Sequence, residues 1–212
     1  MESDSPFTYW VRHGETVWNV LGKYQGNHDS PLTALGRQQA LISARFLRRG
    51  GIRRLYTSPM RRAVETAAVF AEVLGLSEVR ADDRLREIGY GQWEGLTQEE
   101  VRSRWPEQLR AWKRAPHLAA IPGAESLQLT RARLLDFSRD PTHWSKRDDG
   151  VAVITHAGCI RLLHLEQRRT GLAAFRNIRV PHASIWPVAM ARHFQSSAAP
   201  ILNKEPSTCA SQ

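Results

Sequence analysis

The run Val151-Ala152-Val153-Ile154-Thr155 is continuous, apolar and largely β-branched. Strands of that kind are buried on both faces, the setting of a central strand in a parallel sheet with helices on either side. The run stops at His156-Ala157-Gly158, and a helix is expected from about Cys159 to Arg169. A second β-prone stretch, Tyr9-Trp10-Val11, stops the same way at Arg12-His13-Gly14, with a helix beginning near Thr16. In open parallel sheets ligands bind beyond the carboxyl ends of the strands, so two strand-end histidines are expected to meet at one edge.

The rest of the chain supplies the alternation that such a sheet needs. Residues 33–47 read as a helix with an apolar stripe of Leu35, Ala40, Leu41, Ala44 and Leu47, ended by Gly50-Gly51. Residues 52–57 form a strand. Ser58 is then expected to cap a helix with Pro59 in its first position and Ala63, Ala67, Phe70, Ala71 and Leu74 on the buried side, stopped by Gly75. A short strand is expected at 79–81 and a structured loop at 85–96. Thr97 and Glu100 have capping-box spacing, Trp105, Leu109 and Trp112 follow with helical spacing across Pro106, and residues 125–137 are helical. Residues 183–188 give a last strand. The expected fold is α/β, a three-layer sandwich with a mostly parallel central sheet flanked by helices. One domain spans 1–195, and 196–212, poor in large apolar residues, is expected as a frayed tail.

Composition narrows the partners. Of 212 residues 42% are hydrophobic and 24% charged, which is ordinary globular composition. No apolar run reaches membrane-spanning length, and Met1-Glu2-Ser3-Asp4-Ser5 lacks the features of a signal peptide. Cys159 and Cys209 are too far apart to suggest a disulfide framework or metal-ligand spacing, so a reduced, cytoplasmic setting is expected. A net charge of +9 favours acidic partners. The pairs Arg48-Arg49, Arg53-Arg54 and Arg168-Arg169 are scattered, without a basic stripe interleaved with aromatics. That leaves phosphorylated metabolites and phosphoproteins as the acidic partners and makes nucleic acid a weak reading.

The chemistry gathers at the strand ends. A strand-to-helix loop aims backbone N–H groups at one point, and Arg12 adds a forked cation suited to phosphate. His13 is the strong neutral-pH nucleophile there, read as attacking a bound phosphoryl group; a hydrogen-bonded structural histidine is the competing reading. His156 would contact the equatorial oxygens and, charged, stabilise the transfer, against the alternative of a buried structural imidazole. Zinc binding by the pair is disfavoured, because no third His, Cys or Asp lies at ligand spacing. Arg62, beside Ala63 on a small-residue helix, can approach the site, whereas Arg61 reads as solvated. Glu87, in a glycine-rich loop, can carry a proton to a leaving alkoxide; taken alone it reads as a surface pair with Arg86.

Taken together the motifs resemble the histidine phosphatase superfamily, the phosphoglycerate mutase-like group. They are Val11-Arg12-His13-Gly14-Glu15-Thr16 with Trp18-Asn19; Pro31-Leu32-Thr33-Ala34-Leu35-Gly36; Thr57-Ser58-Pro59-Met60-Arg61-Arg62-Ala63; Leu85-Arg86-Glu87-Ile88-Gly89-Tyr90-Gly91-Gln92-Trp93-Glu94-Gly95; Pro122-Gly123-Ala124-Glu125-Ser126; and Thr155-His156-Ala157-Gly158. The resemblance implies His13 as the nucleophile that forms a phosphohistidine. It implies Arg12, Arg62 and His156, with Asn19, as the phosphate pocket, and Glu87 as proton donor and later as the base for water. It implies no metal and no cofactor, and a segment at 93–126 that caps the site and sets specificity. Arg102, Arg104, Trp105, Trp112, Lys113 and Arg114 there read mostly as solvated cations and core tryptophans.

Ala124 and Ala157 depart from the commonest family wording without removing a catalytic group. Three activities stay open: phosphomonoester hydrolysis, mutase-type phosphoryl transfer, and non-catalytic phosphate binding. The short 92–155 segment and the Gly-Gln-Trp-Glu-Gly wording resemble the phosphatase branch, so hydrolysis of a small phosphorylated metabolite is favoured. Monomer and homodimer are equally compatible with the sequence.

Overall fold

The computed structural model describes residues 7–143 and 150–189. Strands β1 (Phe7–Arg12), β2 (Ile52–Thr57), β3 (Arg80–Ala81), β4 (Gly150–Thr155) and β5 (Ile185–Ala189) form one sheet in the order β3-β2-β4-β1-β5. β4 pairs in parallel with both β1 and β2, and only β5 runs antiparallel, at one edge. The apolar run therefore occupies the centre, as its composition predicts.

The helices are α1 (Val17–Val20), α2 (Ala34–Leu47), α3 (Arg61–Leu74), α4 (Gln98–Arg104), α5 (Pro106–Arg114), α6 (Leu127–Arg139) and α7 (Ala157–Gln167). The two-residue period of the strands divides the core between two faces. Val11, Ala152 and Ile154 join Ala40, Ala44, Ala63 and Phe70 of α2 and α3. Trp10, Val151 and Val153 join Leu134, Phe137, Ile160 and Leu163 of α6 and α7. This is the three-layer sandwich. Among the described residues no helix is long and apolar enough to cross a membrane.

Several local expectations shift. Leu35 is half exposed, and Gly36 takes the buried place at the start of α2. The reason is a backbone contact: a Cβ on Gly36 would lie 2.0 Å from the Glu15 carbonyl oxygen, and one on Gly14 would lie 2.3 Å from that of Gly36. Helix α3 starts at Arg61 rather than at Pro59, because Ser58 still donates its N–H to Ile154 and so prolongs the pairing of β2. Helix α7 begins at Ala157, two residues early, with His156 at its cap. Ala183, expected in the last strand, turns through a left-handed φ of 53° ahead of β5. Trp105 separates α4 from α5, and Pro106 opens the second helix. The expected tail, 196–212, lies outside the described residues.

Within 93–126, Trp93, Val101, Leu109, Trp112 and Ile121 are buried in the α6–α7 side of the core, and Trp105 packs against it. Arg102, Arg104, Lys113 and Arg114 are exposed, as the plainer reading holds.

Candidate active site

The carboxyl ends of β1 and β4 are neighbours, so Arg12-His13 and His156 converge. The two imidazole rings stand 5.2 Å apart. His13 is buried, and its Nδ1 lies 2.7 Å from the Gly14 carbonyl oxygen. A carbonyl only accepts, so Nδ1 carries the proton and Nε2 holds the lone pair. Burial, Arg62 and Arg12 together hold His13 well below the usual histidine range. The ring is neutral at pH 7, as a nitrogen nucleophile must be. The loop behind it is fixed where the Gly14 N–H donates to Thr66 Oγ1 of α3.

His156 is fixed by the same logic. Arg62 Nε donates to its Nδ1 at 3.3 Å, so Nε2 carries the hydrogen and donates to Ser58 Oγ at 2.8 Å. Desolvation first, then Arg62 and His13, hold this ring well below its ordinary value too. The expected imidazolium is therefore a neutral imidazole here, because burial removes the solvent that would support its charge. A dianion bound among these groups would favour protonation again.

Arg62 is wholly buried at the start of α3. Its Nη1 donates to the His28 carbonyl and to Asp29 Oδ1, both at 2.9 Å, and its Nη2 to the Gly26 carbonyl at 2.8 Å. With Nε on His156, one N–H on Nη2 remains for an anion. Among the described residues Arg12 is spent only through Nη1, on the Val180 carbonyl, and its buried Nε has no partner. Desolvation lowers this guanidinium to about 10, still a cation at neutral pH. An orphaned buried donor is costly, and a phosphate oxygen is the partner it suits.

Asn19 is held by Thr16. Its Oδ1 accepts from the Thr16 N–H and hydroxyl, closing a capping box on α1 and leaving Nδ2 as its spare donor. Glu87 completes the set: its Oε1 accepts from the Ile88 N–H at 3.0 Å and its Oε2 from the Gly158 N–H at 3.4 Å, in the first turn of α7. The carboxylate is thus set beside His156 by the helix that His156 caps.

Sequence reasoning missed four residues that pack around these groups. Ser58 was read as a cap; its motif was visible but its partner was not. Asp29 orders Arg62 from a loop. Gln25 is buried, with Nε2 on Thr16 Oγ1 and, among the described residues, Oε1 unpartnered. His182 stands 6.3 Å from His13, ring to ring, and burial and Arg12 push it down to about 4. Its Pro-His-Ala setting reads as an ordinary turn, so only the packing of that turn against β1, through Ala183 N–H to the His13 carbonyl, brings it in. Among the described residues no group of three His, Cys, Asp or Glu is placed to hold a metal.

A buried arginine, Arg62, a half-buried one, Arg12, a neutral histidine and a carboxylate thus gather at one sheet edge, an arrangement suited to a phosphate. The model of the histidine phosphatase superfamily (branch 1) matches residues 8–197. Phosphoserine phosphatase 1 of Hydrogenobacter thermophilus is 35% identical over 176 residues, 82% of each chain. A 2,3-bisphosphoglycerate-dependent phosphoglycerate mutase of Methylobacterium sp. is 35% identical over 159 residues, 72% of this chain and 76% of that one. The solved structure of Bacillus stearothermophilus YhfR superposes with a TM-score of 0.82 at 31% identity, over 88% of this chain and 92% of that one. The chain belongs to the histidine phosphatase superfamily. It is a phosphatase enzyme.

Proposed function

We propose that the protein hydrolyses phosphomonoesters of small metabolites through a phosphohistidine on His13, without a metal. The observation that carries this reading is the pinned tautomer of His13, neutral and buried, with Nε2 unpartnered among the described residues. Nε2 attacks phosphorus. Arg12 and the spare N–H of Arg62 hold the equatorial oxygens; His156 joins them once it takes a proton on Nδ1 and gives up the bond from Arg62 Nε, and Asn19 adds its amide. Glu87 gives a proton to the departing alkoxide and then takes one from the water that cleaves the N–P bond.

Hydrolysis of p-nitrophenyl phosphate between acidic and neutral pH, with EDTA present, tests it. Phosphate release that survives EDTA, is blocked by vanadate and vanishes in His13→Ala is the expected result. Activity retained by His13→Ala would sink the mechanism. The mutase-like relative favours one second reading, phosphoryl return to a bound acceptor. Transfer between phosphoglycerates that outruns release of inorganic phosphate would replace hydrolysis.

A further inference from the structure

A cavity of about 350 Å³ opens against Glu87, lined by Asn27, Asp83, Arg86, Glu87, Glu125 and Arg133 among others. Because the proton donor forms part of its wall, the leaving alcohol departs into this space. Its volume is at the low end for ligand pockets, which suits an alcohol of few heavy atoms.

The charged groups around it are not equally free. Arg133 is saturated: its Nε and Nη2 hold both oxygens of Glu125, Nη1 bonds the carbonyls of Arg84 and Arg86, and Nη2 also bonds that of Glu87. It fixes the wall and has no N–H left for a ligand. Glu125 is consumed by the same fork, and its carboxylate is lowered although burial opposes this. Arg86 differs. Its Nε holds Asp83, an exposed carboxylate, at 2.7 Å, and its Nη1 has only the Met60 sulfur at 3.6 Å. Among the described residues its Nη2 has no partner. Across the cavity Asn27 presents its amide, which sits so close to Gly89 that a Cβ there would lie 2.9 Å from Nδ2.

We propose that Arg86 is a specificity residue that reads a carboxylate on the leaving alcohol. The preferred substrates are then phosphate esters of small hydroxy acids, with Asn27 taking a neighbouring hydroxyl or amine. The proposal rests on the hydrolytic reading above. One forked cation with free donors matches one carboxylate. Of the three acidic side chains on the wall, Asp83 and Glu125 each hold an arginine and Glu87 is taken up as the proton donor, so an isolated ammonium group finds no free anion. A second phosphate would find a single cation.

Substrate pairs that differ only in the carboxylate test this: O-phosphoserine against O-phosphoethanolamine, and 3-phosphoglycerate against glycerol 3-phosphate. The native enzyme should prefer the acid of each pair by about tenfold or more in kcat/KM. Arg86→Gln should bring both ratios close to one, and Asp83→Asn, which releases Arg86 from its partner, should keep or raise them. Ratios taken within one variant are insensitive to a general loss of activity. Ratios near or below one in the native enzyme, ratios unchanged by Arg86→Gln, or hydrolysis of p-nitrophenyl phosphate with neither acid turned over would each overturn the assignment. Absence of His13-dependent phosphate release from every ester would instead overturn the hydrolytic reading itself.

Discussion

Gly158 gives its N–H to Glu87 Oε2, and a Cβ at Gly158 would lie 2.4 Å from Glu87 Oε1 and 2.5 Å from Ile88 Cδ1. The helix that follows the second histidine is thus packed directly on the carboxylate, at the N-terminal end where its N–H groups point outward.

Gly158→Ala should therefore damage both stability and chemistry. The contact is to a backbone-held carboxylate and a core isoleucine, so overpacking should cost about 1–3 kcal/mol. The better helix propensity of alanine returns at most about 1 kcal/mol. Denaturant titration and alkyl-phosphate turnover check the expectation. A variant as stable and as active as the native enzyme would show that Glu87 is not held by this contact.

Glu87→Gln should affect esters unequally. An alkoxide is a poor leaving group and needs the proton, whereas p-nitrophenolate leaves without one. Loss on an alkyl phosphate should reach about 10²–10⁴-fold, and loss on p-nitrophenyl phosphate should be much smaller. Steady-state kinetics on both esters decide it, and equal losses would assign Glu87 to positioning rather than proton transfer.

The buried histidines set a pH dependence. His13 and His156 titrate below their ordinary value in the folded state, so unfolded chains take up protons first as pH falls from about 6.5. The stability they contribute is full above that pH and is lost as pH drops through their folded values. Urea denaturation should show a weaker protein at pH 5 than at pH 7.5, a window above the ordinary range of carboxylates. The acid limb of kcat/KM should also lie below pH 6.5, because the nucleophile stays deprotonated. A limb at or above 6.5 would contradict a depressed His13.

Ser58→Ala removes the acceptor for His156 Nε2 at a wholly buried position. An unsatisfied buried N–H should cost about 1–3 kcal/mol. It should also free the ring to turn away from Arg62, so vanadate should bind more weakly. Chemical denaturation and vanadate inhibition are the two readouts, and unchanged inhibition would make Ser58 purely structural.

Much of the site was legible because its residues end strands. Val151 to Thr155 and Tyr9 to Val11 announce buried strands by composition, and the fold rule that ligands gather at carboxyl edges then brings Arg12, His13 and His156 together. Glu87 and Arg62 were reachable from their motifs. Ser58, Asp29, Gln25 and His182 were not, since a serine before proline, an aspartate in a polar loop and a histidine in a turn look ordinary. Leu35 was misplaced for the same reason: helical periodicity gives a stripe, but the Gly14–Gly36 backbone contact sets which side of the stripe faces inward.

The sequence by itself determined the alternation of strands and helices, the central position of β4, the capping box at Thr97 and the residue types at the strand ends. These depend on side-chain period and local capping, which act within a few residues. Tertiary structure alone decided the protonation of the two histidines, the saturation of Arg133 and the freedom of Arg86. Arg62 and His156 are 94 positions apart in the chain, and Arg133 reaches the Glu87 carbonyl across 46. Charge state and hydrogen-bond vacancy are set by such distant neighbours and by exclusion of water, and neither is written in any local stretch.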